Sequence, residues 1–235
     1  MSPPEPRTAA TVVLIRDAVG GPEVLLLKRN KALLFAGGVW VFPGGALDPE
    51  DWDAGGQDEE RAARIAAARE AQEEAGLVLD PDTMVQISHW TTPEAEPKRF
   101  YTWFYLALVP ARDDDVAIDG GEIHDFQWIS VRDAIERHEA GKLAMFPPTI
   151  MTLRALLGYL SAEDALIGMA ARDPYRVLPV FAASRDPVQV MFEGDAGYIS
   201  GDAEQEGPRH RAQLIEGCWH YLCEPPASNI TRLDS

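Results

Sequence analysis

The stretch from Asp58 to Gly76, DEERAARIAAAREAQEEAG, constrains the fold of this chain more than any other. It is an unbroken run of helix formers between a residue suited to cap a helix N-terminus and a glycine suited to stop one, so it predicts a helix. At about 100° per residue, Glu70, Glu73 and Glu74 share one narrow arc with the small side chains of Ala63, Ala66 and Ala67. Ile65, Ala68, Ala71 and Ala75 lie on the other side. The pattern predicts an aliphatic side that packs on a sheet and a carboxylate side left open for a ligand. Like charges at these spacings cost a helix about 0.2–0.5 kcal/mol per pair, which calls for an offset. A divalent cation supplies one, because Mg²⁺ takes octahedral oxygen ligands and combines a few carboxylates with substrate phosphates. A solvated acidic face, paired locally with Arg64 and Arg69, is the alternative.

Charge supports the need for a cation. The chain has 38 acidic and 21 basic residues, a net charge of -17, which disfavours binding along a nucleic-acid backbone and leaves an anionic substrate in need of a metal. At 235 residues and 46% hydrophobic composition, the chain reads as globular. Cys218 and Cys223, the only cysteines, fit neither a redox nor a zinc spacing and read as ordinary thiols. The opening MSPPEPRTAA lacks an apolar core, and no run approaches the roughly 18 apolar residues of a membrane span. The expectation is a cytoplasmic protein with neither a membrane nor a nucleic-acid partner.

Strand and helix signals alternate along the chain. TVVLIRDAVGGPEVLLLKR predicts a hairpin turning at Gly20 and Gly21, and GVWVFPGG predicts a short strand stopped by Pro43. Residues 46–57 show no periodicity and read as a loop. MVQISHWTT, RFYTWFYLALV and IHDFQWIS read as strands of a mixed sheet. Helices are predicted to start at Ser130, at Pro147 and Pro148, and at Ser161. Beyond Pro174, RVLPVFA and VQVMFEG read as strand-like, and RAQLIEGCWHYLCEP follows without an assigned element.

FPGG at 42–45, followed by a loop and then REAQEEAGL at 69–77, resembles the signature box of the Nudix hydrolase superfamily. The second half fits at every position. The resemblance implies an α/β fold, an α/β/α sandwich around a mixed β-sheet, here with additional C-terminal helices in one domain over 1–235 and a core of about 8–160. It also implies a hydrolase that cleaves the pyrophosphate of a nucleoside diphosphate linked to another moiety, with Mg²⁺ or Mn²⁺. By the same resemblance Glu70, Glu73 and Glu74 are metal ligands, Arg69 orients a carboxylate, and the Gly44–Gly45 turn allows close backbone approach. A homodimer is common in the family.

The first half of the box departs from the pattern. Gly45 precedes Arg69 by 24 positions rather than 14, so ten residues are extra. The usual glutamate, eight before the arginine, would fall on Arg61, and Glu59 or Glu60 is expected to take its part. The added stretch is expected beside the substrate entrance, with Trp52 covering apolar surface. Glu122, between DGG and a strand, is a candidate extra ligand or general base, with Asp113, Asp114 and Asp115 as competitors.

The order of EIHDFQWIS, FPP and EGDAGY is similar to a peroxisomal acyl-coenzyme A diphosphatase subgroup, although the terminal LDS does not resemble a peroxisomal address. Arg29, Leu33 and Gly38 share register with that subgroup's coenzyme A motif, while Leu34 and Ala36 replace its Arg and His. Arg29 and Lys28 could hold a phosphate. Trp90, Phe100, Tyr101 and Trp103 could stack a base or fill the core. Coenzyme A or its acyl esters is the expected substrate, with ADP-ribose, NADH or another nucleotide sugar as the alternative and a non-cleaving nucleotide sensor as the alternative of another class.

Overall fold

The computed structural model describes residues 3–30, 38–110, 116–118, 121–184, 186–224 and 232–234. Leu33, Leu34, Ala36 and the acids Asp113, Asp114 and Asp115 lie outside the described residues.

The β-branched run near the N-terminus forms β1 (Arg7–Ala18), which pairs antiparallel with β2 (Gly21–Arg29). Gly20 and Gly21 turn the hairpin at φ 110° and 121°, values that favour glycine. β3 (Trp40–Val41) pairs with β2, and β4 (Gly44–Ala46) pairs with β1. After α1 (Pro49–Ala54) and α2 (Glu59–Ala75) come β5 (Val85–Thr91), β6 (Phe100–Leu108) and β7 (Ile123–Ser130). Three helices follow, α3 (Val131–Glu139), α4 (Pro147–Leu156) and α5 (Ala162–Ala170), and then β8 (Tyr175–Val177). These strands form one mixed sheet ordered β3-β2-β1-β6-β5-β8, with β7 on β2, β4 on β1, and β1 parallel to β6.

Alternation along β1 and β2 divides the interior. Val12, Leu14, Leu25 and Leu27 face the alanines of α2, while Val13, Ile15, Val24 and Leu26 face α3, α4 and α5. The result is the expected α/β/α sandwich with a mixed sheet. Ser130 and Ser161 cap α3 and α5 through the backbone N–H groups of Asp133 and Asp164, as the sequence predicts. No helix of the described residues is long and apolar enough to cross a membrane.

Three expectations need correction. Residues 46–57 are not all loop: Pro49 starts a short helix, α1, whose Asp51 carboxylate accepts the backbone N–H of Asp48 at 2.9 Å. The packing face of α2 is also redrawn. Ala71 and Ala75 are buried as expected, but Ala63, Ala66 and Ala67 are buried in the same cluster while Ile65 and Ala68 are only half-buried, so the packing face is broader than expected and takes in the arc that carries Glu70 and Glu74. Small side chains let that face approach the sheet closely. Finally, the tail contains more than helices and isolated strand pieces. β9 (Val180–Phe181), β10 (Val188–Met191), β11 (Arg209–Ile215) and β12 (Cys218–Glu224) form a second, antiparallel sheet ordered β12-β11-β10-β9. Cys218 and Cys223, on β12, are free thiols.

The second sheet is tied to the rest by packing and by one histidine. Val190, Phe192, Ala212 and Trp219 join the apolar cluster of α3, α4 and α5. His138 of α3 accepts the Trp219 backbone N–H on Nε2 at 3.1 Å, so Nδ1 carries the proton that it gives to the Leu143 carbonyl at 2.8 Å. Within the sheet, buried Arg211 grips buried Asp195 through two contacts of 2.7 Å.

Candidate active site

The turn between β3 and α1 meets the C-terminal half of α2. Gly44 belongs to β4, opposite Thr11 of β1, and a Cβ there would collide with the backbone oxygen of Ala10. Its N–H donates to Glu74 Oε2 at 2.9 Å. A Cβ on Gly45 would collide with the Glu70 carboxylate. The glycine pair therefore brings bare backbone against two carboxylates of one helix. Glu74 is 8% exposed, and burial pushes its carboxyl up to about 8 against the restraining Gly44 hydrogen bond. Burial also raises Glu70, with Arg69 pulling the other way.

Arg69 organises the acids around it. It donates to Glu70 Oε1 and Glu73 Oε2, each at 2.9 Å, and to the Ala46 carbonyl at 3.2 Å. Its Nε and Nη2 reach the two oxygens of Asp51 at 3.2 and 2.9 Å. The Asp51 hydrogen bond is the main cause of the raised Arg69 pKa, so the guanidinium stays charged. Asp51 itself is only 2% exposed.

Asp51 fills the role assigned from sequence to Glu59 or Glu60. Those two sit at the start of α2, where Glu60 pairs with Arg64 at 2.9 Å and Glu59 accepts the Trp103 indole N–H at 3.3 Å, and neither bonds Arg69. Counting back from Arg69 missed the residue. Counting forward from Gly45 finds it, because a glutamate eight before the arginine in a box of ordinary length stands six after the glycine, and Asp51 stands six after Gly45. The extra residues thus enter after the carboxylate that holds the arginine. Trp52 covers apolar surface as expected, packing on the cluster beneath α2 and not lining the cavity, whereas Asp48 of the same stretch does line it.

A cavity of about 580 Å³ collects the residues singled out from sequence: Arg29, Gly44, Gly45, Arg69, Glu70, Glu73, Glu74 and Glu122 all line it. Glu122 precedes β7, and its carboxylate lies 3.3 Å from Arg29 Nη2. Arg7 at the start of β1, Asp48 at the N-cap of α1 and Lys98 just before β6 also line the cavity and were not singled out. Among the sequence-flagged aromatics, Phe100 reaches the cavity, whereas Tyr101 stacks on buried His89 and Trp103 meets the same ring edge-on. His124 is exposed.

Among the described residues no three His, Cys, Asp or Glu side chains stand in a ready metal-binding group. Arg69 holds Glu70 and Glu73 in ion pairs, and Gly44 holds Glu74. The donor chemistry nevertheless suits a hard divalent cation: the acids offer only oxygen, and the buried Glu74 carboxylate has a single backbone donor, too little to stabilise its charge.

The profile of the NUDIX domain matches residues 5–148, more than half of the chain. The chain belongs to the NUDIX domain family. It is 27% identical to putative nudix hydrolase 7 of Caenorhabditis elegans over 237 residues, covering 85% of this chain and 77% of that protein. It is also 27% identical to the acyl-coenzyme A diphosphatase NUDT19 of Homo sapiens, covering 81% of this chain but only 51% of the human protein. Among solved structures, a NUDIX hydrolase from Alicyclobacillus acidocaldarius superposes with a TM-score of 0.63 at 28% identity, covering 71% of this chain and 96% of that one. The protein is accordingly a Nudix hydrolase. In this Nudix chain the box is interrupted after Asp51, and α1 forms across the interruption.

Proposed function

We propose that this Nudix hydrolase is a divalent-metal-dependent enzyme that cleaves the pyrophosphate of coenzyme A or its acyl esters, releasing 3',5'-adenosine bisphosphate and a 4'-phosphopantetheine product. The observation that carries this reading is the convergence of Glu70, Glu73 and Glu74 from one helix with Glu122 and Arg29 from the facing strands in one cavity. Glu70, Glu73 and Glu74 would hold Mg²⁺ or Mn²⁺, which would neutralise phosphate charge and make bound water more acidic. Arg69, fixed by Asp51, keeps the Glu70 and Glu73 carboxylates on the cavity side. Arg29 orients a phosphate oxygen. Glu122, exposed at the mouth and paired with Arg29, takes the proton of the attacking water as the new P–O bond forms and the bridging P–O bond breaks.

Similarity to a human protein named as an acyl-coenzyme A diphosphatase supports the choice of substrate. The whole chain, 1–235, acts as one cytoplasmic unit in this reading, since the second sheet shares its apolar cluster with α3, α4 and α5. Competition among coenzyme A, ADP-ribose and NADH at equal concentration with Mn²⁺ tests the substrate. Coenzyme A should be preferred, and a tenfold preference for ADP-ribose, about 1.4 kcal/mol in relative kcat/KM, would reject this choice.

A further inference from the structure

A second cavity of about 370 Å³ opens beside the first, between the face of the main sheet and the second sheet. Thr11, Val41, Phe42, Phe100, Thr102 and Phe146 line both, so the two are continuous. Their chemistry differs sharply. The first is walled by acids and by Arg7, Arg29, Arg69 and Lys98. Among its described lining residues the second has no lysine, arginine or histidine, and Glu96 is its only charged side chain.

Phosphate is therefore a poor occupant. Glu96 repels it, and α4, whose first turn faces the cleft, begins with Pro147 and Pro148, which have no N–H to offer. The Thr149 N–H already donates to the Phe146 carbonyl at 3.0 Å. A nucleobase edge fits little better, because the described lining residues include no asparagine, glutamine or aspartate to pair with it and offer threonine hydroxyls and Glu96. Polar edges buried there would go unpaired. An alkyl chain has no such edges. The far wall, Phe181 of β9, Val190 of β10 and Trp219 of β12, comes from the second sheet.

We propose that this cleft is a subsite for an acyl chain carried by the non-nucleotide half of the substrate, with the second sheet acting as its specificity wall. The proposal rests on the diphosphatase reading above for the position of the pyrophosphate. Burying successive methylenes in such a cleft should raise kcat/KM about fourfold each, about 0.8 kcal/mol, until the cleft is full.

The experiment compares coenzyme A with esters of two, four, six and eight carbons, using Mn²⁺ and following release of 3',5'-adenosine bisphosphate. Binding of the same series is read in parallel from tryptophan emission with EDTA in place of metal, since Trp90 and Trp219 line the cleft. Both kcat/KM and affinity should climb with chain length, and Val190→Phe, which narrows the cleft, should flatten that climb. Phe181→Ala, which removes part of the wall without adding bulk, should lower its slope and serves if Val190→Phe does not fold. Hydrolysis of coenzyme A with no dependence on chain length in either readout would overturn the subsite and leave the diphosphatase reading intact. Affinity that rises with chain length in the absence of any hydrolysis would support the subsite and overturn the diphosphatase reading.

Discussion

Asp51 holds Arg69 through two hydrogen bonds across eighteen residues of sequence, and the same guanidinium holds Glu70 and Glu73. One buried carboxylate on a six-residue helix thereby sets the position of two acids on its neighbour. Asp51→Asn keeps the shape but removes the charge, and breaking this half-buried pair should cost about 1–3 kcal/mol of stability. It should also lower kcat, because Arg69 would be freer to follow Glu70 and Glu73. Urea denaturation and steady-state kinetics check the two effects, and Asp51→Glu should recover part of both.

The two glycines should fail in different ways. In Gly45→Ala the new methyl meets the Glu70 carboxylate, a side chain that can move, so folding should persist while kcat falls. In Gly44→Ala the methyl meets the backbone of β1, which cannot yield without parting β4 from it, so stability should fall by about 1–3 kcal/mol as well. Thermal melts beside kinetics separate the cases. Equal losses of stability would contradict the assignment of the collisions.

How much of this was legible beforehand depended on the range of the interactions. Asp58, Gly76 and the alanines between them marked α2 because caps and propensities are local, and the capping serines of α3 and α5 were read for the same reason. Only Ala71 and Ala75 of the expected packing side of α2 are fully buried, because alanine is small and nearly neutral and periodicity alone could not say which alanines meet the sheet. α1 was missed because six residues are too few to show a period. Asp51 was missed because its partner lies beyond the ten extra residues. The second sheet rests on pairings such as Val190 with Ala212, whose strands carry no local sign of each other.

Trp52→Ala should reveal a supporting role for the insertion. The indole packs on the cluster beneath α2 and stays out of the cavity, so its loss should cost about 2 kcal/mol with KM nearly unchanged. A change in substrate preference without a fall in Tm would place the indole at the substrate instead.

Acid should loosen the joint between α3 and the second sheet. Burial holds the His138 pKa below its usual 6.5, and its Nε2 must stay unprotonated to accept the Trp219 N–H. The unfolded chain takes up a proton near 6.5 while the folded chain resists it, so stability is fullest above that pH and declines as pH falls below it. His210, lowered by burial, and His89, lowered by burial to about 4, act in the same direction. Glu74 and Glu70, raised by burial, act in the opposite direction, so the part of His138 is read as the difference in Tm between the wild type and His138→Gln, which should narrow from about pH 7 down to pH 5. A His138→Gln protein with the full wild-type slope would contradict the role given to this imidazole.

The central claim, that the acidic end of α2 carries metal-dependent pyrophosphate hydrolysis, is tested most directly by the turnover of Glu74→Gln. This substitution keeps the size of the side chain and its capacity to accept the Gly44 N–H, and it removes only the negative charge. With Mn²⁺ and coenzyme A, the wild-type chain should release 3',5'-adenosine bisphosphate and stop on addition of EDTA. Glu74→Gln, with an unchanged circular dichroism spectrum, should be slower by about a hundredfold or more in kcat. Turnover near the wild-type rate in the folded variant would contradict the account.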